Sequence, residues 1–446
     1  MKLILLLLIV SGNTLKLSME DAVKIALENN LTIKAKKQEL FMAQQDVLKA
    51  KSSLYPSIGG QAAYTRLSEE QKTPMLSGFR LTPTGNPRMP YMIVPEFSEM
   101  QTTYFNNYAL SLSVSQPIFT WGALRGAYRL SQKRLKSINM EIKSTSLQIE
   151  EEVKESYINL LLARKSLSLL KQIQNELKEN LKSAKERYEA GYASDFELLR
   201  AEVQLKSIEP QIIQIQGQIK VAEDAFRNLL GIPDSVEFEL TDSLYHRSIT
   251  CSLDSLVKEA YSSHVDLNLL RENMRLLEES IKLQKKKNLP SVFYSWNYKY
   301  QRPSGTQDEW HGMWTFTLGV SWNLFDGGAN RAEVAKLNYQ LKSLRISLEN
   351  MKRGIRLVVK NYYTSLIALE NSLRAQESNL ELAKKAYEMA KEQYEEGYAT
   401  SLDVINSQVQ YAQARLNYLK TLAQYMITLT KLEYSVRGGL QQEKSF

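Results

Sequence analysis

Residues Lys185–Ser194 read Lys-Glu-Arg-Tyr-Glu-Ala-Gly-Tyr-Ala-Ser, and their pattern recurs later in the chain. The chain repeats it 206 residues later, at Lys391–Thr400, as Lys-Glu-Gln-Tyr-Glu-Glu-Gly-Tyr-Ala-Thr. The segment around Phe119 also returns 206 residues later, around Phe325. A constant spacing over so long a span predicts an internal duplication. Each copy contains a very long helical pattern, a glycine turn and a second helical pattern that runs back.

The helical patterns set the lengths of the predicted elements. At 1.5 Å per residue, each long helix would extend about 100 Å and each shorter helix about half as far. Two short helices placed end to end therefore match one long helix, which predicts a sheath of short helices packed lengthwise along the long ones. Apolar residues at alternating spacings of three and four, such as Leu160 and Leu366, favour coiled-coil packing. The predicted long helices are 122–189 and 328–396, the return helices 194–230 and 401–436, and the remaining helices 18–52 and 252–288.

These elements predict two structural repeats, 17–230 and 252–436, in a mixed α and β fold that is mostly α. The connector 231–251 and both termini, including a C-terminal tail at 437–446, would form a belt at mid-height. The first residues contain an apolar run, Leu3–Val10, after a lysine. This run is too short to span a bilayer as a helix and predicts a secretory signal over 1–16, with a buried N-terminal helix or strand as the alternative.

Composition excludes several classes of protein. The net charge is +8, from 57 basic and 49 acidic residues that are interspersed along the helical segments. Such mixing is typical of a solvated helical surface, so we predict no nucleic-acid partner. Cys251 is the only cysteine, which excludes an intrachain disulfide.

Strand patterns interrupt the helices in each repeat. Tyr108, Leu110, Leu112 and Val114 alternate with small or hydroxylated residues, so one face of the strand is apolar. The predicted strands lie at about 57–66, 105–118, 291–302 and 313–325. Residues 67–104 contain five prolines and no periodicity, which predicts a long exposed loop.

The aromatic faces of these strands need a covering. A sandwich would bury them in a core, but each repeat has only one hairpin and no second sheet. We therefore favour strands that face lipid, because eleven residues tilted by about 40° span roughly a hydrocarbon thickness. Four strands cannot close a barrel. Two chains would give eight strands with a packed interior, and three would give twelve with room for a channel; we favour three.

The order of these segments resembles the TolC-like outer-membrane efflux proteins. The resemblance rests on the signal, the doubled arrangement of helix, hairpin, long helix, glycine turn and return helix, and the segments Ala190-Gly191-Tyr192 and Glu396-Gly397-Tyr398. It implies a homotrimer whose twelve strands form one transmembrane β-barrel in the outer-membrane lipid. It also implies a periplasmic α-barrel of twelve helices. The protein would be a passive channel-tunnel for small molecules or proteins, located in the outer membrane with a large periplasmic portion.

The resemblance assigns the glycine turns to the periplasmic tips. There, a periplasmic adaptor protein bound to an inner-membrane transporter would contact the channel and complete a tripartite efflux or secretion system. The adaptor-contacting turn often reads Val-Gly-Leu in the family, whereas here tyrosine follows both glycines. The implied adaptor-contact residues are Gly191, Tyr192, Gly397 and Tyr398.

The resemblance also implies a gate at these tips. Aspartate rings of the family correspond to Asp403 and Asn406, so one ring stays acidic and the other is neutral. A gate arginine of the family corresponds to Ala399. Tyr394 matches a gate tyrosine, and Glu197 matches a gate aspartate in the first copy.

Asp403 has two interpretations. Three copies around a threefold axis would repel each other and bind cations, which would narrow and filter the entrance. Alternatively, Asp403 is a first-turn acid after Thr400 or Ser401 that stabilises a helix N-terminus. The two roles are compatible.

Catalysis has no support in the sequence. His246, His264 and His311 stand singly, in a connector, a helix and a strand turn, without metal-ligand spacing, and no phosphate-binding glycine loop occurs. We predict neither an enzyme nor a cofactor or metal. The alternative to a channel is a periplasmic coiled-coil adaptor or scaffold whose hairpins form a soluble β domain. Drugs, metal ions and secreted proteins all remain open as the exported substrate.

Overall fold

The computed structural model describes residues 15–437. The predicted signal 1–16 and tail 437–446 therefore lie almost wholly outside the described residues. The chain divides into two compact units, each assembled from separated segments. The first unit contains 15–43, Leu135–Arg275 and 342–437; the second contains Gln44–Arg134 and Leu276–Leu341.

Helices make up most of the described chain. The long helices begin and end within one residue of the predicted bounds, and each contains 67 residues. No helix within residues 15–437 is both long and apolar enough to cross a membrane. In chain order the helices are α1 Met19–Asn29, α2 Leu31–Ser52, α3 Ala123–Glu189, α4 Asp195–Leu230, α5 Leu253–Ser263, α6 Val265–Lys285, α7 Ala329–Glu395 and α8 Ser401–Arg437.

The prediction of unbroken helices over 18–52 and 252–288 is wrong, because one residue interrupts each. Asn30 separates α1 from α2 with φ −54° and ψ 130°, and His264 separates α5 from α6 with φ −57° and ψ 121°. Such a ψ is extended rather than helical and turns the chain out of the preceding helix. Apolar periodicity continues on both sides of each break, so the pattern alone suggests one helix.

The second unit contains the strands β2 Ser57–Arg66, β5 Asn106–Phe119, β7 Ser291–Arg302 and β8 His311–Ser321. They form one antiparallel sheet in the order β2-β5-β7-β8. The last strand was predicted to continue to 325. It ends at Ser321 because its partner strand β7 begins at Ser291, which pairs with Ser321. Asp326 then caps α7, accepting hydrogen bonds from the backbone N–H groups of Gly328 and Asn330 at 3.0 Å each.

One face of this sheet is apolar across all four strands. The register pairs Ala62 with Leu110, Leu110 with Tyr300 and Tyr298 with Trp314. Directly paired residues share a face, as do alternate residues of one strand, so the predicted alternation merges into a single face. Many of its side chains are exposed in the chain, whereas Tyr294 and Trp296 are half-buried. The exposed ones include Ile58, Leu110, Trp314, Phe316, Leu318 and Val320. We call this the aromatic face.

The prediction of a loop over 67–104 is wrong, because most of it forms two long strands. These strands, β3 Lys72–Asn86 and β4 Met89–Gln101, pair with each other and with no other strand of the described chain. A strand with one free edge tolerates proline there, since no ladder donor is needed. The prolines within the strands are Pro74, Pro83, Pro90 and Pro95.

Among the described residues the first unit contains four hydrophobic clusters, and two of them include equivalent positions of α3 and α7. In one, Val153 and Leu160 of α3 pack with Phe226 of α4 beside a parallel pair of short strands, β1 Leu15–Leu17 and β6 Phe238–Leu240. In the other, Val359 and Leu366 of α7 pack with Tyr425 of α8; both α7 residues lie 206 positions after their α3 counterparts. The register predicted from the sequence therefore marks buried positions in both long helices.

Replacing either equivalent leucine tests the importance of these clusters. Leu160 is 0% exposed and Leu366 is 2% exposed. Leu160→Ala and Leu366→Ala should each lower the free energy of unfolding by about 2–5 kcal/mol, because each leaves a cavity. Denaturant titration followed by circular dichroism measures the change.

Leu382 of α7 is 63% exposed and provides a matched control. Leu382→Ala should change the free energy of unfolding by no more than about 0.5 kcal/mol. Equal destabilisation by the buried and exposed substitutions would contradict this assignment of the core.

Candidate functional site at the two glycine turns

Both long helices end in the same hydrogen-bonded turn. Gly191 and Gly397 adopt the left-handed conformation, with φ of 80° and 85°. In the first turn the N–H of Tyr192 donates to the carbonyl of Arg187 at 2.8 Å, and in the second Tyr398 donates to Gln393 at 2.8 Å. This is the Schellman arrangement, in which glycine at the left-handed position avoids a steric cost. The repeated sequence thus specifies a repeated turn.

The return helices begin with equivalent caps that differ in one contact. The hydroxyls of Ser194 and Thr400 accept hydrogen bonds from the backbone N–H of Glu197 and Asp403, each at 3.3 Å. In the second copy the Asp403 carboxylate reaches back and accepts from the Thr400 backbone N–H at 2.9 Å and from its hydroxyl at 2.6 Å. Asp403 therefore completes a reciprocal capping box. These hydrogen bonds hold the pKa of Asp403 below its usual range, so it is a carboxylate at neutral pH.

Glu197, the counterpart of Asp403, contacts the other copy instead. Its carboxylate accepts a hydrogen bond from the Tyr394 hydroxyl at 3.4 Å. The guanidinium of Arg187 lies over the Tyr394 ring, 4.7 Å from its centroid, in a cation–π contact. Burial raises the pKa of Tyr394, which keeps the hydroxyl protonated and able to donate. We call Arg187, Tyr394 and Glu197 the tip latch, because it joins α3, α7 and α4.

The structure thus brings together two of the four predicted gate residues, Tyr394 and Glu197. Asp403 is exposed and engaged with Thr400, and Asn406 is exposed one turn further along α8. The two turn tyrosines are also exposed, Tyr192 by 80% and Tyr398 by 84%. The turns therefore present aromatic rings to the surroundings.

Sequence reasoning missed two residues at this end of the helices. Arg187 occupies the position that Gln393 has in the second copy, so the latch needs a residue that departs from the repeat. Gln408, only 2% exposed, donates to Glu176 at 3.0 Å and accepts from Asn180 at 3.1 Å, which ties α8 to α3. A comparison of the copies for unmatched polar residues would have identified both positions.

The arrangement described above agrees with a known family. The family model for outer membrane efflux proteins matches residues 22–232 and 256–436. The chain belongs to this family. The resemblance inferred from the sequence is confirmed. This outer membrane efflux protein resides in the outer membrane and has a large periplasmic helical part.

The similar proteins match this chain over nearly its whole length. The protease secretion protein PrtF of Dickeya chrysanthemi is 19% identical over 469 residues, covering 99% of this chain and 93% of PrtF. The CmeC outer membrane channel of Campylobacter jejuni superposes with a TM-score of 0.76 at 17% identity, covering 96% of this chain and 87% of CmeC. For the open state of MtrE of Neisseria gonorrhoeae the TM-score is 0.72 at 16% identity, with coverages of 94% and 89%.

These solved structures share the fold, and the predicted mostly helical class with some strands is confirmed. The family comprises efflux proteins and not enzymes. An outer-membrane efflux family favours the channel over the periplasmic scaffold that the sequence had left open.

Substitutions in the tip latch should loosen the start of α4. Tyr394→Phe removes the hydroxyl that donates to Glu197, while Glu197→Gln weakens the acceptor by removing its charge. Each should increase hydrogen exchange at the first amides of α4, about twofold to tenfold. The double variant should show little more exchange than either single variant.

The exposed Tyr398 gives the control, since Tyr398→Phe removes a hydroxyl from a ring that is 84% exposed. That variant should exchange like the wild type. Additive effects of Tyr394→Phe and Glu197→Gln would show that the two side chains act independently.

Proposed function

We propose that the protein is a passive channel that crosses the outer membrane as a homotrimer and exports substrates delivered by an inner-membrane system. The aromatic face supports the proposal, because it extends over four strands and much of it is exposed in the chain. Trp314 and Phe316 lie on this face with more than half of their area exposed. Aromatic and aliphatic side chains on one side of antiparallel strands suit lipid.

The edges of the sheet support assembly from several copies. In the described chain β2 pairs only with β5, and β8 pairs only with β7, so each outer strand has one edge without a partner strand. Open sheet edges are not tolerated in hydrocarbon, where no water satisfies the backbone groups. Pairing β2 of one protomer with β8 of the next would satisfy the backbone groups at both edges. Three copies then supply twelve strands, enough for a barrel with a lumen.

We place the gate at the helix tips. In a trimer the exposed, ionised Asp403 carboxylates would form a ring, and fixed carboxylates around a narrow entrance attract cations. The tip latch would hold α4 against α7 within each protomer and keep this entrance narrow. The Asp403 ring and the tip latch would act at the same end of the helices, because Glu197 and Asp403 occupy equivalent positions in the two repeats of one chain.

The partners follow from the chemistry that the chain lacks. The sequence contains no phosphate-binding glycine loop, so the energy for export must come from another protein. An inner-membrane transporter would supply it, and a periplasmic adaptor would connect that transporter to the turns around Tyr192 and Tyr398. The name of PrtF refers to protease secretion, and the family name to efflux, so proteins and small molecules are both admitted as substrates.

Conductance of the purified channel in planar bilayers tests the proposal. Wild-type current should be reduced by millimolar Mg²⁺ added on the side of the helix tips, because the cation binds the carboxylate ring. Asp403→Ala should relieve this block.

Asp403→Asn separates the pore role from the capping role, since asparagine still accepts hydrogen bonds at a helix N-terminus but has no charge. If the charge forms the filter, the asparagine and alanine variants relieve the block equally. Conversely, Asn406→Asp should strengthen the block by adding a second acidic ring. A block that persists in Asp403→Asn and does not change in Asn406→Asp would remove this ring from the mechanism.

A further inference from the structure

The two helix joints of the first unit are built alike. Ser18 and Ser252 cap 11-residue helices, and the joint residues Asn30 and His264 each follow twelve positions later. The joint N–H donates to the carbonyl four residues earlier, at 2.8 Å for Asn30 and 3.0 Å for His264. The carbonyl of each joint residue accepts a hydrogen bond from the backbone N–H four positions later, at 3.1 Å for Asn30 and 3.2 Å for His264. The backbone thus makes the same break twice.

The side chain of each joint residue caps the helix that follows. Asn30 Oδ1 accepts from the backbone N–H groups of Thr32 and Ile33 at 2.9 and 3.4 Å. His264 Nδ1 accepts from the backbone N–H of Asp266 at 3.3 Å. A ring nitrogen that accepts a hydrogen bond carries no proton, so this contact requires the neutral imidazole with its proton on Nε2. An asparagine oxygen has no such requirement.

We propose that the joint between α5 and α6 is a pH-sensitive hinge, in which His264 caps α6 only while neutral and releases the cap on protonation. Protonated Nδ1 would direct an N–H towards the N–H of Asp266 and lose the hydrogen bond. The positive charge would also lie at a helix N-terminus, where the helix dipole disfavours cations. The joint at Asn30 keeps its cap at every pH.

His264 is largely buried and forms part of the wall of a cleft. The side chain lies in a cleft of about 430 Å³, and the residue is 8% exposed. Burial lowers the pKa of His264, and the Asp266 carboxylate, 4.0 Å from Nδ1, opposes this shift. The titratable groups that line the cleft with it are Asp266 on α6, Glu151 on α3, Tyr362 on α7 and Tyr434 on α8. Glu152, Glu155 and Lys431 act in turn on Glu151.

The other cleft groups do not replace the lost cap. Burial raises the pKa of Glu151, so this carboxyl takes up its proton at a higher pH than an exposed glutamate does. Burial also raises the pKa of Tyr434 to about 12, so it remains a neutral phenol. Asp266 is the carboxylate that lies 4.0 Å from Nδ1, and it already accepts a hydrogen bond from Ser144 of α3 at 2.6 Å. A protonated Nδ1 that turned to Asp266 would compete with that contact.

The pKa of His264 is lower in the folded chain than the unfolded value of about 6.5. The cap therefore contributes its full stability above about pH 6.5 and loses it as the pH falls from there through the folded pKa. The joint also contacts α8: the Ser263 hydroxyl oxygen lies 2.7 Å from the Glu259 carbonyl oxygen of its own helix and 3.2 Å from the Val436 carbonyl oxygen of α8. Loosening the hinge would therefore affect contacts with α3 and α8.

Hydrogen exchange of the purified full-length protein at pH 7.5 and pH 5.0 tests the hinge. After correction for the intrinsic pH dependence of exchange, protection of the first amides of α6 should fall at pH 5.0 by about twofold to thirtyfold, the effect of losing an N-cap. Protection of the first amides of α2, capped by Asn30, should not change and serves as the internal reference.

Two reciprocal variants make the test specific. His264→Asn should abolish the pH dependence at α6, because asparagine already caps the equivalent joint, and Asn30→His should introduce pH dependence at α2. Equal pH dependence in the wild type and His264→Asn would overturn the proposal, as would unchanged protection of α6 in the wild type. If His264→Asn fails to fold, Asn30→His decides on its own, and a pH-independent α2 in that variant would also overturn the proposal.

Discussion

The structure depends on one constraint: a four-stranded sheet whose two outer strands have unpaired edges and whose apolar face lies uncovered. The register of β2, β5, β7 and β8 collects aromatic and aliphatic side chains from all four strands on one face. In water such a face and such edges favour uncontrolled association. In the proposed trimer both would be satisfied at once, because the face would contact hydrocarbon and the edges would join other protomers. The sheet thus links the sequence pattern to an outer-membrane location.

The helical part follows from the duplication, and its functional features arise where the copies differ. Both glycine turns and both serine or threonine caps are equivalent, as a repeated sequence requires. Glu197 and Asp403 occupy matching positions of the two repeats. Glu197 accepts a hydrogen bond from Tyr394 of the second repeat, whereas Asp403 accepts one from Thr400 at the cap of its own helix. The joints at Asn30 and His264 differ in the same way. Their backbone hydrogen bonds are alike, but the capping acceptor is an amide oxygen at Asn30 and a titratable ring nitrogen at His264. The two repeats share the same turns and caps, and residues that differ between them make different contacts.

The sequence was sufficient wherever a period decided the structure. The long helices and the membrane-type strands have sustained periods of 3.5 and 2, and these periods placed Leu160, Leu366 and the aromatic face correctly. Local breaks were not visible in the same way. Apolar spacing runs through Asn30 and His264, so the two joints were missed. The prolines of 67–104 suggested a loop, because proline weakens central strands; in a two-stranded ribbon each strand has a free edge that accepts it. The tip latch depends on a contact between the two repeats. The apolar period within one repeat does not predict that Arg187 contacts Tyr394.

We propose that three protomers close their sheets around one lumen within lipid. Native mass spectrometry of the protein released from nanodiscs that contain brominated lipids counts the chains, and tryptophan fluorescence in the same nanodiscs reports contact with lipid. We expect three chains per particle and strong quenching that falls when Trp314 is replaced by tyrosine. Particles of one chain, or tryptophans that brominated lipids do not quench, would contradict it.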